Sequence, residues 1–101
     1  MDKFGLPERT IQEITEYFKH IPQVETVKIF GSRARGNFKP YSDIDFVLYG
    51  SELNEKLTNK IASELDELPT PYKFDVLLAN GISNLKLIEN INDTGKIFYQ
   101  K

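Results

Sequence analysis

The sequence predicts an α+β domain of helices packed on a short β-sheet, in the order α-β-β-α-β-α. Three observations predict it. Apolar residues recur at helical spacing in three separate segments. Between those segments lie short runs rich in Val, Ile, Phe and Leu that alternate with a period of two. The chain has 101 residues, of which 40% are hydrophobic. That suffices for one core and hence for one domain, residues 1–101.

The first helix is expected from about Glu8 to His20. Pro7 sits near its start, where a missing N–H costs least. Ile11, Ile14, Phe18 and Ile21 form its apolar stripe, and Pro22 stops it. Val24 to Phe30 reads as a strand with Val27 and Ile29 on one face. Gly31 to Tyr41 contains Gly, Arg and Pro and reads as a loop with room for one helical turn. Ser42 to Tyr49 is a second strand, with Ile44, Phe46 and Leu48 on one side and Asp43, Asp45, Val47 and Tyr49 on the other. Ser51 is placed to cap the helix that follows, about Glu52 to Leu68, which carries Leu53, Leu57, Ile61 and Leu65. Pro69 and Pro71 end it. Tyr72 to Leu78 is a third strand, and Ser83 to Asp93 a last helix with Leu85, Ile88 and Ile91. Gly95 breaks that helix before a short extended piece, Lys96 to Tyr99.

Composition narrows the functional classes. Thirteen basic residues against 15 acidic ones give a net charge of −2. No global basic field of the kind that drives nonspecific nucleic-acid binding is present. Cysteine is absent and there is a single histidine, His20. Disulfides, zinc-thiolate sites and histidine clusters are therefore excluded. Any metal must be a hard cation held by carboxylate oxygens. No apolar run approaches a membrane span and the N-terminus lacks a signal pattern. A cysteine-free chain of this kind fits the reducing cytoplasm.

The most informative stretch is GSRARGNFKPYSDIDFVLYG. In it Gly31-Ser32 is followed, after ten residues, by Asp43-Ile44-Asp45. Residues i and i+2 of a strand lie about 6.5–7 Å apart and point the same way. Two carboxylates so placed can reach one metal or bridge two. Mg²⁺ takes one or two protein carboxylates and fills its shell with phosphate oxygens and water. Taken alone, the pair is equally compatible with the wet face of an amphipathic strand, although Asp is disfavoured in strands. Asp75 lies in a second apolar run, Lys73 to Leu78. If that run pairs beside Ser42–Tyr49, Asp75 joins the other two on one face and completes the carboxylate set of a two-metal site. Gly31 permits close approach of the backbone to a ligand. Ser32 offers a hydroxyl, and the start of a helical turn attracts phosphate. Arg33 and Arg35 add charge suited to phosphate oxygens. Neither the P-loop pattern nor G-x-G-x-x-G is present.

Gly31-Ser32, ten residues, Asp43-Ile44-Asp45 and a later Asp75 together resemble the signature of the DNA polymerase β-like nucleotidyltransferase superfamily. The short length points to its minimal (MNT) branch, and the resemblance extends over nearly the whole chain. It implies the nucleotidyltransferase fold, a short mixed sheet flanked by helices. It also implies transfer of a nucleoside monophosphate, AMP from ATP, to a hydroxyl acceptor with release of pyrophosphate. By that pattern Asp43, Asp45 and Asp75 are catalytic and bind two Mg²⁺, and Gly31, Ser32 and Arg33 bind the nucleotide. Only about 25 residues follow Asp75, too few for an acceptor-binding domain of the kind larger relatives carry. Minimal members are typically paired with a helical HEPN protein in a toxin–antitoxin system, which implies a HEPN-type partner as acceptor. A binding-only antitoxin, or a nucleotide-binding subunit that neutralises its partner without catalysis, remains the alternative. So does a homodimer that builds its own acceptor pocket.

Other residues read more plainly. His20 at a helix end suits the helix dipole. Phe38, Lys39 and Tyr41 read as a solvated loop beside the site. Tyr72, Phe74, Phe98 and Tyr99 read as core or sheet residues. The acidic residues from Glu52 to Glu67 read as the wet face of a helix.

Overall fold

The computed structural model of the chain describes residues 3–101. Helix α1 (Glu8–Lys19) leads into strand β1 (Thr26–Phe30), and α2 (Gly31–Arg35) follows at once. Strand β2 (Ile44–Tyr49), helix α3 (Glu55–Asp66), strand β3 (Phe74–Leu78), a 3₁₀ turn (Ala79–Gly81), helix α4 (Leu85–Thr94) and strand β4 (Lys96–Gln100) complete the chain. The four strands form one mixed sheet in the order β3-β2-β1-β4. β1 is antiparallel to both β2 and β4, whereas β2 and β3 run parallel. A parallel pair needs a crossover, and α3 supplies it.

The two faces of the sheet separate by strand alternation. Val27, Ile29, Ile44, Phe46 and Leu48 point to the main core, where they meet Ile14 and Phe18 of α1 and Ile61 and Leu65 of α3. Phe46 sits at its centre, with ring centroids of Phe98, Phe18 and Phe74 at 4.9, 5.8 and 5.9 Å. The opposite face carries a smaller cluster, Phe30, Val47 and Ile91, under α4. Asp45 and Asp75 belong to that second face by strand period. The paired aspartates and the main core therefore lie on opposite sides of the same strands.

The stretch from Gly31 opens with the one helical turn for which the sequence leaves room, the five-residue α2, because Gly31 turns the chain with φ +73° and Gly36 closes α2 in the left-handed region at φ +87°. Two expectations need correction. The terminal extended piece is a full edge strand, a fourth strand paired along β1. Ser51 does not cap α3: its hydroxyl donates to Glu25, and Asn54 caps instead by accepting from the Leu57 N–H at 2.8 Å. Loss of such a cap costs about 1 kcal/mol. Asn54→Ala is expected to lower the unfolding free energy by that amount, read as a urea midpoint lower by about 0.3–1 M with an unchanged m-value, and an unchanged midpoint would refute the cap.

Candidate active site

The site forms where β1 ends and β2 and β3 begin. β1 ends at Phe30, which pairs with Asp45 across the antiparallel ladder. On the other side of β2, Asp45 pairs in register with Asp75 of β3. Adjacent strands lie about 4.8 Å apart, so the two carboxylates stand side by side on one face. Asp43 lies two residues before Asp45, just ahead of β2, where the Ile44 N–H already donates to the Lys73 carbonyl at 2.8 Å. Among the described residues, no hydrogen bond or ion pair engages any of the three carboxylates.

The electrostatics show the cost of that arrangement. The Asp45 carboxyl is pushed up from 3.8 to about 6, first by burial, then by the like charges of Asp75 and Asp43. Arg35 and Arg33 pull it partly back. Burial and like charge thus disfavour the ionised form, a cost that a nearby cation would relieve. Among the described residues, no group of three or more Asp, Glu, His or Cys side chains is arranged to hold a metal ion on its own. The donor set is instead open and all-oxygen, which fits a Mg²⁺ ion that shares its shell with phosphate and water.

Gly31 adjoins this group directly. A Cβ built on it would fall on the Asp45 Oδ2 atom and lie 3.2 Å from the Asp45 carboxyl carbon. Its φ of +73° is a second reason for glycine. Ser32 follows on the first turn of α2, where backbone N–H groups have no acceptor within the helix. Among the described residues the Ser32 hydroxyl has no hydrogen-bond partner.

Arg33 stands apart from the rest of the expected set. Its side chain is 1% exposed, the largest fully buried one among the described residues. Nε donates to the Ser42 carbonyl at 3.0 Å, Nη1 to Phe4 at 3.0 Å and Nη2 to Pro40 at 3.2 Å. The rings of Phe38 and Tyr72 lie 5.2 and 5.0 Å from the guanidinium carbon. Burial lowers the guanidinium pKa, against the pull of Tyr72 and Asp45. Three of the five guanidinium N–H donors are thus directed at carbonyls inside the fold, which sets Arg33 apart from an exposed phosphate ligand. Arg35, two residues further along α2, is exposed and close enough to Asp45 to act on its carboxyl. The loop residues beyond it divide. Tyr41 is 77% exposed, whereas Phe38 packs its ring against Gly5. His20 caps α1 and pairs its Nδ1 with the Glu16 carbonyl at 2.8 Å. No helix among the described residues is long and apolar enough to cross a membrane.

Comparison with known proteins agrees with this geometry. No curated protein sequence matches the chain at a significant level. Among solved structures, a toxin–antitoxin complex with AMP-PNP is 22% identical, with a TM-score of 0.72 over 95% of this chain and 75% of that one. A Shewanella oneidensis complex of a tri-AMPylated HEPN toxin with its MNT antitoxin is 18% identical, with a TM-score of 0.69 over 93% of this chain and 72% of that one. A Sulfolobus solfataricus protein assigned as a nucleotidyltransferase is 25% identical, with a TM-score of 0.60 over 92% of this chain and 79% of that one. The first two likenesses are likenesses of fold. The family model described as polymerase beta, nucleotidyltransferase matches residues 12–101. With the Gly-Ser turn, the paired aspartates and the mixed sheet all inside that span, the chain belongs to the polymerase beta nucleotidyltransferase family.

Proposed function

We propose that this chain transfers AMP from ATP to a hydroxyl group on a helical, HEPN-type partner protein, as the antitoxin of a toxin–antitoxin pair in the cytoplasm. The observation that carries the chemistry is the in-register placement of Asp45 beside Asp75, next to a glycine where a side chain would displace the Asp45 carboxylate. The structures of similar fold that hold AMP-PNP or an AMPylated HEPN toxin support the choice of nucleotide and acceptor.

In this reading Asp43, Asp45 and Asp75 hold two Mg²⁺ ions. The metal, when bound, stabilises the attacking and leaving oxygens of the displacement. Gly31 lets the triphosphate approach the backbone beside Asp45, and the first turn of α2 offers N–H groups to its oxygens. Ser32 adds a hydroxyl donor. Arg35, and not Arg33, adds the mobile cation that meets phosphate charge. Asp75, exposed on edge strand β3, takes the proton of the acceptor hydroxyl as that oxygen attacks the α-phosphorus. The bond to pyrophosphate breaks, and pyrophosphate leaves.

The test is co-expression with the product of the adjacent gene, followed by intact-mass measurement of both chains. The expected result is a partner heavier by one or more AMP groups, absent when Asp43 is replaced by Asn. A partner of unchanged mass with every nucleoside triphosphate supplied would refute the proposal. Neutralisation that persists in the Asp43→Asn and Asp45→Asn variants would favour a binding-only antitoxin.

A further inference from the structure

We propose that Arg33 is a positioning residue that holds the segments bearing Asp43 and Asp75 in register with the Gly31 turn. The proposal rests on the nucleotidyl-transfer reading and adds a residue whose role there is indirect.

One side chain ties together the approaches to each site segment. Arg33 itself is the third residue of α2, two after Gly31. Its Nε holds the carbonyl of Ser42, the residue immediately before Asp43. Its Nη2 holds Pro40 in the same loop. One face of the guanidinium rests on Tyr72, three residues before Asp75. Another ring, Phe38, stacks from the loop itself. The remaining bond, from Nη1 to the Phe4 carbonyl, fastens the tight turn at residues 3–6. In that turn Phe4 and Gly5 both take positive φ and the Leu6 N–H donates to the Lys3 carbonyl at 2.9 Å.

The chemistry requires arginine. Three carbonyls from separate segments, with two aromatic rings within about 5 Å, suit the forked donors and flat surface of a guanidinium. A lysine ammonium offers a point charge with tetrahedral donors and no flat surface to stack. A buried cation with no carboxylate within 4 Å among the described residues is also a costly device for mere packing. Its cost is understandable if a loop that carries catalytic groups must not move. That loop, residues 36–43, has no strand or helix of its own to hold it.

The experiment compares Arg33→Lys with Ile61→Val and Leu65→Ala, which remove buried methyl groups from α3 and bracket the loss of stability. All are measured at a temperature where circular dichroism shows each variant folded. Amide hydrogen exchange is read first. Arg33→Lys is expected to accelerate exchange in residues 38–45 and 3–6 and to leave α3 unchanged, whereas the α3 variants do the reverse. Mn²⁺ binding in the presence of AMP-PNP, read by the electron paramagnetic resonance of free Mn²⁺, comes second. Arg33→Lys is expected to weaken it about 10-fold, as lost outer-shell partners do, and to lower kcat with little change in KM for ATP. The α3 variants are expected to bind as wild type does. Unchanged exchange in residues 38–45 overturns the proposal. So does faster exchange with wild-type Mn²⁺ binding and kcat, because the loop would then be held for stability alone. If the wild-type chain binds no Mn²⁺ with nucleotide, the transfer reading fails, and the exchange pattern still decides whether Arg33 holds the loop.

Discussion

Asp45→Asn is expected to abolish nucleotidyl transfer and, in the same stroke, to stabilise the metal-free fold. Removal of one preorganised charged group from a reaction centre costs on the order of 10³-fold in rate, and Asp45 is the carboxylate at the centre of the set. It is flanked by Asp75 across the parallel ladder and lies two residues from Asp43. The stability effect follows from its carboxyl, which sits at about 6 in the fold against 3.8 as its ordinary value, through burial and then the charges of Asp75 and Asp43. Between those two values the native state holds a proton that the unfolded chain has lost. The contribution of Asp45 to stability is therefore greatest below about pH 4 and declines as pH rises to about 6. A rise of that size is worth at most about 3 kcal/mol, and solvent screening of a partly exposed carboxylate reduces it to about 1 kcal/mol. For a domain of this size that corresponds to about 4–8 °C in Tm. Thermal unfolding in EDTA, followed from pH 4 to 8 for both proteins, checks it. The variant should gain over wild type as pH rises through 4 to 6 and keep that gain at pH 7.5. A less stable variant at pH 7.5 would show that Asp45 is satisfied by some other partner in the metal-free state.

The same residue shows what the sequence could and could not disclose. The i, i+2 spacing of Asp43 and Asp45 puts them on one side of a strand, and that is local information. Their meeting with Asp75 depends on β3 lying parallel to β2, which local alternation does not determine. The helical stripes Ile14–Phe18 and Ile61–Leu65 were legible because burial of one helix face writes a period of 3.6 into the chain. Strand β4 was visible only as a short extended piece, since its pairing joins Lys96–Gln100 to Thr26–Ile29, some 70 residues away. Helix α2 reads only as room for one turn within a loop because its composition is that of a loop. Two Arg and a Gly over five residues give no apolar stripe, although Ala34 and Arg33 are both buried. Arg33 was read as a phosphate ligand for a similar reason. Arginine is almost never fully buried, and the three carbonyls that bury it come from Phe4, Pro40 and Ser42, which nothing in their residue types marks as a group.

Gly31→Ala is expected to cost about 2 kcal/mol of stability and about 10²-fold in transfer rate. Two causes combine. A non-glycine residue in the left-handed region costs about 1–2 kcal/mol, and Gly31 has φ +73°. The added methyl would also fall on the Asp45 Oδ2 atom, so that carboxylate must move. Displacement of a reacting group by about 1 Å is enough for a 10²-fold loss. The two causes separate in a double-mutant cycle with Asp45→Ala, which removes the carboxylate and leaves the backbone unchanged. If contact with Asp45 contributes, Gly31→Ala costs less in the Asp45→Ala background than in wild type, by about 1 kcal/mol. If the backbone angle is the whole cause, the two costs add within experimental error and the activity lost by Gly31→Ala requires another account. The cycle thus measures whether the glycine at the end of β1 exists to turn the chain or to leave Asp45 its place.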